Sequence, residues 1–71
     1  MRTNNAMYCA VELARAHVCI QEAQIDLAMG HLRNATSYAY LDGDHSRVAA
    51  ILRARAAVCV LYNSPMVRVV L

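Results

Sequence analysis

Residues 5–41 read NAMYCAVELARAHVCIQEAQIDLAMGHLRNATSYAYL, and their reading decides the fold. The stretch has no proline and a single glycine, Gly30, and is rich in Ala, Leu, Met, Glu and Gln. Those side chains lose least on entering a helix. The run predicts one continuous helix over 5–41, which at 1.5 Å per residue would be ~55 Å long. Turned at 100° per residue, Glu12, Arg15, Glu22, Asp26 and Arg33 fall within an arc of about 80°, a solvated stripe. Val11, Val18, Ile25 and Leu32 recur every seven residues on one border of it, and Leu13, Ile20 and Leu27 recur nearly opposite. A helix with one neighbour needs an apolar face of about 100°. This one is apolar over roughly twice that, so it expects neighbours on two sides.

Outward from this stretch, Thr3 to Asn5 offers N-cap side chains at one end. At the other, Asp42-Gly43-Asp44 is the clearest punctuation in the chain. Gly43 suits the left-handed position after a helix, and Asp44 can cap the next one. A second helix is expected over 45–62, ended by Asn63-Ser64-Pro65, because proline cannot continue the hydrogen-bond ladder. The remainder, Met66-Val67-Arg68-Val69-Val70-Leu71, is an apolar, β-branched tail. The fold class is therefore all-α: an antiparallel helical hairpin with a C-terminal tail (63–71), in a single domain over 1–71.

Such a hairpin leaves too much uncovered. A second helix of about 18 residues shields only a matching length of the first, so the segment before residue 24 would project with Val11, Leu13, Val18 and Ile20 unburied. Each such side chain contributes ~1.5–3 kcal/mol when fully buried, a severe loss for a marginally stable domain. A second copy of the chain is the simplest cover. Val11, Leu13, Val18 and Ile20 are accordingly the expected oligomer interface of a dimer built as a four-helix-like bundle. The alternative is a break at Gly30 that folds the first helix back into a three-helix bundle.

Composition bounds the rest. With 71 residues, 59% of them hydrophobic and 17% charged, the chain is a small folded domain rather than a disordered tail. Its seven basic residues are all Arg, and the net charge of +2 is too mild to imply a nucleic-acid or membrane partner by itself. There is no Trp or Phe, so the core must come from close backbone approach between Ala, Val and Leu positions. Three cysteines without C-x-x-C spacing do not make a secreted disulfide framework. No apolar run approaches the ~20 residues that span a bilayer. The expectation is a cytoplasmic protein with reduced thiols.

Candidate chemistry is sparse. His17, His31 and His45 are spaced by 14 residues, within a weak repeat that matches Val11–His17 with Ile25–His31 and, more loosely, Ala39–His45. On one helix that spacing separates neighbours by ~21 Å, too far to share a metal. Cys9, Cys19 and Cys59 read as small buried residues, since none stands beside a histidine in a nucleophile pattern. Asp42-x-Asp44-x-Ser46 begins like a calcium loop but has Arg47 and Arg53 where that loop needs Gly and Glu. No metal, cofactor or catalytic group is expected. The turn from Tyr38 to Val48 is similar over about eleven residues to the inter-helix corner of a tetratricopeptide repeat, whose 34-residue pattern is otherwise missing. The resemblance implies an antiparallel helical hairpin and nothing about a ligand.

The function expected is a non-enzymatic protein-interaction module, an adaptor, inhibitor or regulatory subunit of the size of phage or mobile-element accessory proteins. It would pair with itself and with an unidentified protein. In the second helix, Ala50, Ile51, Ala54, Ala57, Val58 and Leu61 form the face expected to pack on the first helix. Val48, Leu52, Arg55, Cys59 and Tyr62 form a second stripe, the expected partner-binding surface, with Arg55 a charge amid apolar and aromatic neighbours. The alternative is a nucleic-acid-binding regulator with a helix-turn-helix-like element at 36–55, with Arg47 opening the recognition helix. Asp42 and Asp44 would then face phosphates unfavourably.

Overall fold

The computed structural model describes residues 4–62 and contains helices only: α1 (Asn5–Gln21), α2 (Ile25–Leu41) and α3 (His45–Leu61). The expected tail lies outside the described residues. The second expected helix is found, with Tyr62 as its C-cap. The single long helix is not. It breaks at Glu22-Ala23-Gln24, and Gly30, where a break was weighed, lies within α2.

The break is made by an alanine. Ala23 has φ 61°, the left-handed region, which costs a residue with a Cβ roughly 1–2 kcal/mol. The Ala23 N–H donates to the Ile20 carbonyl at 3.0 Å and the Gln24 N–H to the Cys19 carbonyl at 2.8 Å, the paired bonds of a Schellman end. The same pair recurs where the sequence did signal a turn. Gly43, at φ 69°, donates to Tyr40, and Asp44 donates to Ala39. The strain at Ala23 is offset by what folding back achieves. It lays α2 along α1 and covers Leu13 and Ile20 within the chain itself, each burial contributing ~1.5–3 kcal/mol when complete. Gly30 has no such task, and a Cβ there would meet nothing within 4 Å.

Three helices of 17 residues, starting at positions 5, 25 and 45, thus follow one another at even intervals. This is a different rhythm from the 14-residue repeat in the sequence, so His17, His31 and His45 fall late in α1, midway along α2 and at the first position of α3. Residues that match on the structural interval include Cys19, Ala39 and Cys59, each two before its helix ends and each buried. Cys19 and Ala39 are also the residues whose carbonyls close the two turns. The cysteines are small residues in tight places, and all three are free thiols.

The α1 and α2 helices run antiparallel. Asn5 reaches Asp42 with a 3.1 Å hydrogen bond, and the Tyr8 and Tyr38 rings stack at a tilt with centroids 5.4 Å apart. Asn4 caps α1 by accepting from the Met7 N–H, and Asp44 caps α3 by accepting from the Arg47 N–H. The core between the helices is Cys9, Ala16, Ala28, Met29, Leu32, Ala35, Ala39, Ile51, Val58 and Cys59, small residues for the most part. They permit the close backbone approach that a chain without Phe or Trp requires.

The α3 helix packs on α2 and stays clear of α1, with no Cα pair between α1 and α3 within 8 Å. The expected second helix therefore lies against the 24–41 part of the first stretch, as its length predicted, but by a narrower face. Of its face meant for the first helix, Ile51 and Val58 are buried, but Ala50, Ala54, Ala57 and Leu61 are exposed.

Glycine substitutions separate this fold from a continuous helix. Ala23→Gly should stabilise the protein by roughly 0.5 kcal/mol, because relief of left-handed strain outweighs the extra chain entropy. In an unbroken helix the same change would cost ~1 kcal/mol. Gly30→Ala should stabilise by ~0.5–1 kcal/mol, and Gly43→Ala should destabilise by about 1 kcal/mol. Denaturant titrations of the three variants give the signs, and a destabilised Ala23→Gly protein would refute the turn.

Candidate functional site

Three surface features result from the two chain reversals, at residues 22–24 and 42–44. The first is the outer side of α1. Met7, Val11, Ala14 and Val18 share one helical face at i, i+4, i+7 and i+11, and all are exposed, Val18 by half. The expected oligomer interface is thereby divided. Val11 and Val18 remain at the surface, whereas Leu13 and Ile20 pack against the chain's own core. The premise that all four project uncovered is corrected, because α2 supplies the neighbour that a second copy was needed for.

The second feature is an open groove of about 740 Å³ between α1 and α3. Ala10 and Leu13 line one wall, Ala50, Ile51 and Ala54 the other, and Asp44 and Arg47 stand at the α3 N-terminus. It exists because both helices pack on α2 without meeting. Its alanines at positions 50 and 54 are one turn apart, so this wall is low enough for another backbone to come close.

The third is the junction of α2 and α3. Val48, partly buried, packs against the core here, and Cys59 is buried with its thiol 3.9 Å from the Met29 sulfur. The expected partner-binding stripe is therefore divided, with Cys59 inside the α2/α3 seam. Leu52 and Tyr62 lie at its exposed margins, and Arg55 is partly buried. Arg55 lines two adjoining depressions, of about 410 and 190 Å³, together with Arg33 of α2. Arg33 was placed on the solvated stripe, not in a site. The signal for the pairing was the turn itself, since the two arginines stand at similar distances on either side of Gly43.

One polar cluster escaped the sequence reading. Glu12, assigned there to the solvated stripe, has a side chain only 12% exposed. It faces α2, where His31 Nδ1 lies 2.7 Å from Glu12 Oε2 and Asn34 donates to the same oxygen at 3.4 Å. An ionised carboxylate cannot donate, so the His31 proton must sit on Nδ1. Arg15 adds an exposed 3.4 Å contact of little energetic weight. The His31 hydrogen bond is the largest reason the Glu12 carboxyl is held below its ordinary value of 4.5, although burial acts the other way. No i, i+4 spacing links these residues; only the fold-back brings them together.

His31 also lines a shallow depression with Cys19, a pairing across helices that sequence spacing does not show. No hydrogen bond joins thiol to ring among the described residues. Nor do three or more His, Cys, Asp or Glu side chains among the described residues gather as metal ligands. Within the described residues, no helix is long and apolar enough to cross a membrane. The protein-family models, the curated proteins and the solved structures compared with this chain contain no match to it.

Glu12 sets a pH dependence. A depressed carboxyl contributes stability that is fully present above 4.5 and is lost as pH falls through its lower folded value. Glu12→Gln should cost about 1 kcal/mol near neutrality, the scale of one partly screened charge-assisted hydrogen bond. Its unfolding free energy should then fall less than wild type on acidification below 4.5. Parallel acid-side stability curves for the two proteins would remove Glu12 as the cause.

Proposed function

We propose that this chain is a small, non-enzymatic protein-interaction module, an adaptor, inhibitor or regulatory subunit, that pairs with a second copy and receives a helix of a partner protein. The observation that carries the reading is the open α1/α3 groove. It is apolar along both walls, Ala50 and Ala54 keep one wall low, and at about 740 Å³ it is open along its length, which suits the apolar face of an amphipathic helix. Helix-in-groove recognition places anchors at i, i+3 or i+4 and i+7, and the apolar side chains of Leu13 and Ile51 would receive them.

Self-association draws on the Met7, Val11, Ala14 and Val18 stripe, which follows the spacing of a coiled-coil seam. The nucleic-acid reading of residues 36–55 has less support. Arg47, its leading phosphate contact, is held by Asp44 at 3.7 Å, and that aspartate already caps α3 at the point where a phosphate would dock.

Two experiments test the proposal. In light scattering coupled to size exclusion, the wild-type chain should run at about twice its 7.8 kDa mass. Val18→Asp should return it to a monomer with helicity intact, because this side chain is already half exposed. Ile20→Asp should instead unfold the chain by placing an unpaired charge against the core. A wild-type monomer would end the self-association half of the proposal. For the groove, a photocrosslinking residue at position 54 should trap a protein when one at exposed Gln21, away from the groove, does not. Ala50→Arg should abolish that capture. Equal trapping from both positions would count against the groove.

A further inference from the structure

We infer that the cleft where Arg33 and Arg55 meet is a carboxylate-binding site for an acidic peptide segment; this deepens the interaction-module reading and rests on it. Arg33 comes from α2 and Arg55 from α3, and both line the same two depressions. The ion pairs among the described residues involve Arg15, His31 and Arg47, and neither the Arg33 nor the Arg55 guanidinium takes part in one or in a side-chain hydrogen bond there. Two like charges are thus brought to one cleft, one of them partly buried, and no carboxylate among the described residues comes within ion-pair distance of either. Each guanidinium carries five donors in a planar fork that matches a carboxylate with two parallel bonds. A bound carboxylate would satisfy the forks and relieve the repulsion together.

The surroundings say which side it occupies and what accompanies it. Asp26 lines the smaller depression without coming within ion-pair distance of either arginine, so its charge turns anions away from that side. The larger depression, of about 410 Å³, is bordered instead by Tyr40 and Leu41, which are 67% and 69% exposed. The hydroxyls of Thr36 and Ser37 donate to the carbonyls of Leu32 and Arg33, which leaves the guanidiniums as its principal donors. The chemistry is therefore an anion beside an apolar group. Inorganic phosphate would use only the forks, whereas a peptide with a Glu or Asp next to a Leu uses the forks and the Tyr40–Leu41 surface. Arg and Tyr are also the residues that dominate interface energetics. A nucleic acid could stack on Tyr40, but Asp26 lies beside the cleft, and Asp42 and Asp44 follow Leu41 in the turn. All three would oppose a phosphate chain.

The test uses the full chain and a fluorescein-labelled helical peptide of Glu, Ala and Leu, with Glu and Leu one turn apart, read by anisotropy. The proposal expects saturable binding and at least ~10-fold weaker binding of the same peptide with Gln for Glu. Arg33→Ala and Arg55→Ala should each weaken binding on the order of 10- to 30-fold, the loss typical of an interface centre. Because Arg55 is partly buried, Arg55→Lys is made alongside. It keeps the stem and the charge but not the fork, and should still weaken binding while circular dichroism stays unchanged. Asp26→Asn should tighten binding about twofold, as expected from removing one screened charge nearby. Absent binding, or binding indifferent to both arginines, overturns the inference. So does displacement by inorganic phosphate at concentrations where chloride of equal ionic strength does nothing, which would mark a plain anion site. Tighter, arginine-dependent binding of an oligothymidylate would overturn it in favour of nucleic acid. Ala50→Arg, which blocks the α1/α3 groove, should leave peptide binding intact. Failure of the groove and failure of the cleft are thereby read separately.

Discussion

Ala23 holds a backbone conformation that alanine ordinarily avoids, and most of the architecture follows from that. Without the reversal at Glu22-Ala23-Gln24, α1 would carry Cys9, Leu13, Ala16 and Ile20 into solvent. With it, these side chains meet Met29, Leu32, Ala35 and Ala39. The two Schellman bonds at the turn satisfy carbonyls that a helix end would otherwise leave open. They do not account for the reversal, since a continuing helix would satisfy the same groups. Burial of apolar surface across α1 and α2 does, because several partial burials at ~1.5–3 kcal/mol each when complete exceed the strain of one residue.

The same turn helps to shape the surface proposed for partner binding. Equal helix lengths and similar turns set α1 and α3 on α2 as separate neighbours, and the gap between them becomes a groove instead of a core. A helix that is apolar nearly all round yet packs on one neighbour leaves surface open, as Val60 and Leu61 show at 71% and 77% exposure. The polar residues follow a complementary pattern. Glu12 and His31 are used up in holding α1 to α2, whereas Arg33 and Arg55 are left with donors to spare at the opposite seam.

Small residues make this economy possible. Ala16, Ala28, Ala35 and Ala39 bring α1 and α2 close, and Cys19 and Cys59 occupy equivalent places near their helix ends. A thiol there fills slightly more space than alanine and has no strong hydrogen-bonding demand. That accounts for three unpaired cysteines without invoking redox chemistry.

Read alone, the sequence determined the all-helical class, the turn at Asp42-Gly43-Asp44, an N-cap within Thr3 to Asn5, the cap at Asp44, and the need of the first stretch for neighbours on two sides. Each depends on local chemistry: helix propensity, a glycine free to take positive φ, side chains that accept from a nearby N–H, and periodicity along one helix. Tertiary structure alone decided where the long stretch breaks. Ala23 and Gln24 carry no turn signal, so only the global gain from packing α2 on α1 selects a left-handed alanine over the glycine at position 30. From that choice came much that the sequence reading missed. Leu13 and Ile20 turned inward, and Glu12 met His31. At the Gly43 turn the reversal was legible, but which side chains it brought together, Cys59 with Met29 and Arg33 with Arg55, was not, because that depends on which helix faces meet, and local periodicity does not encode it.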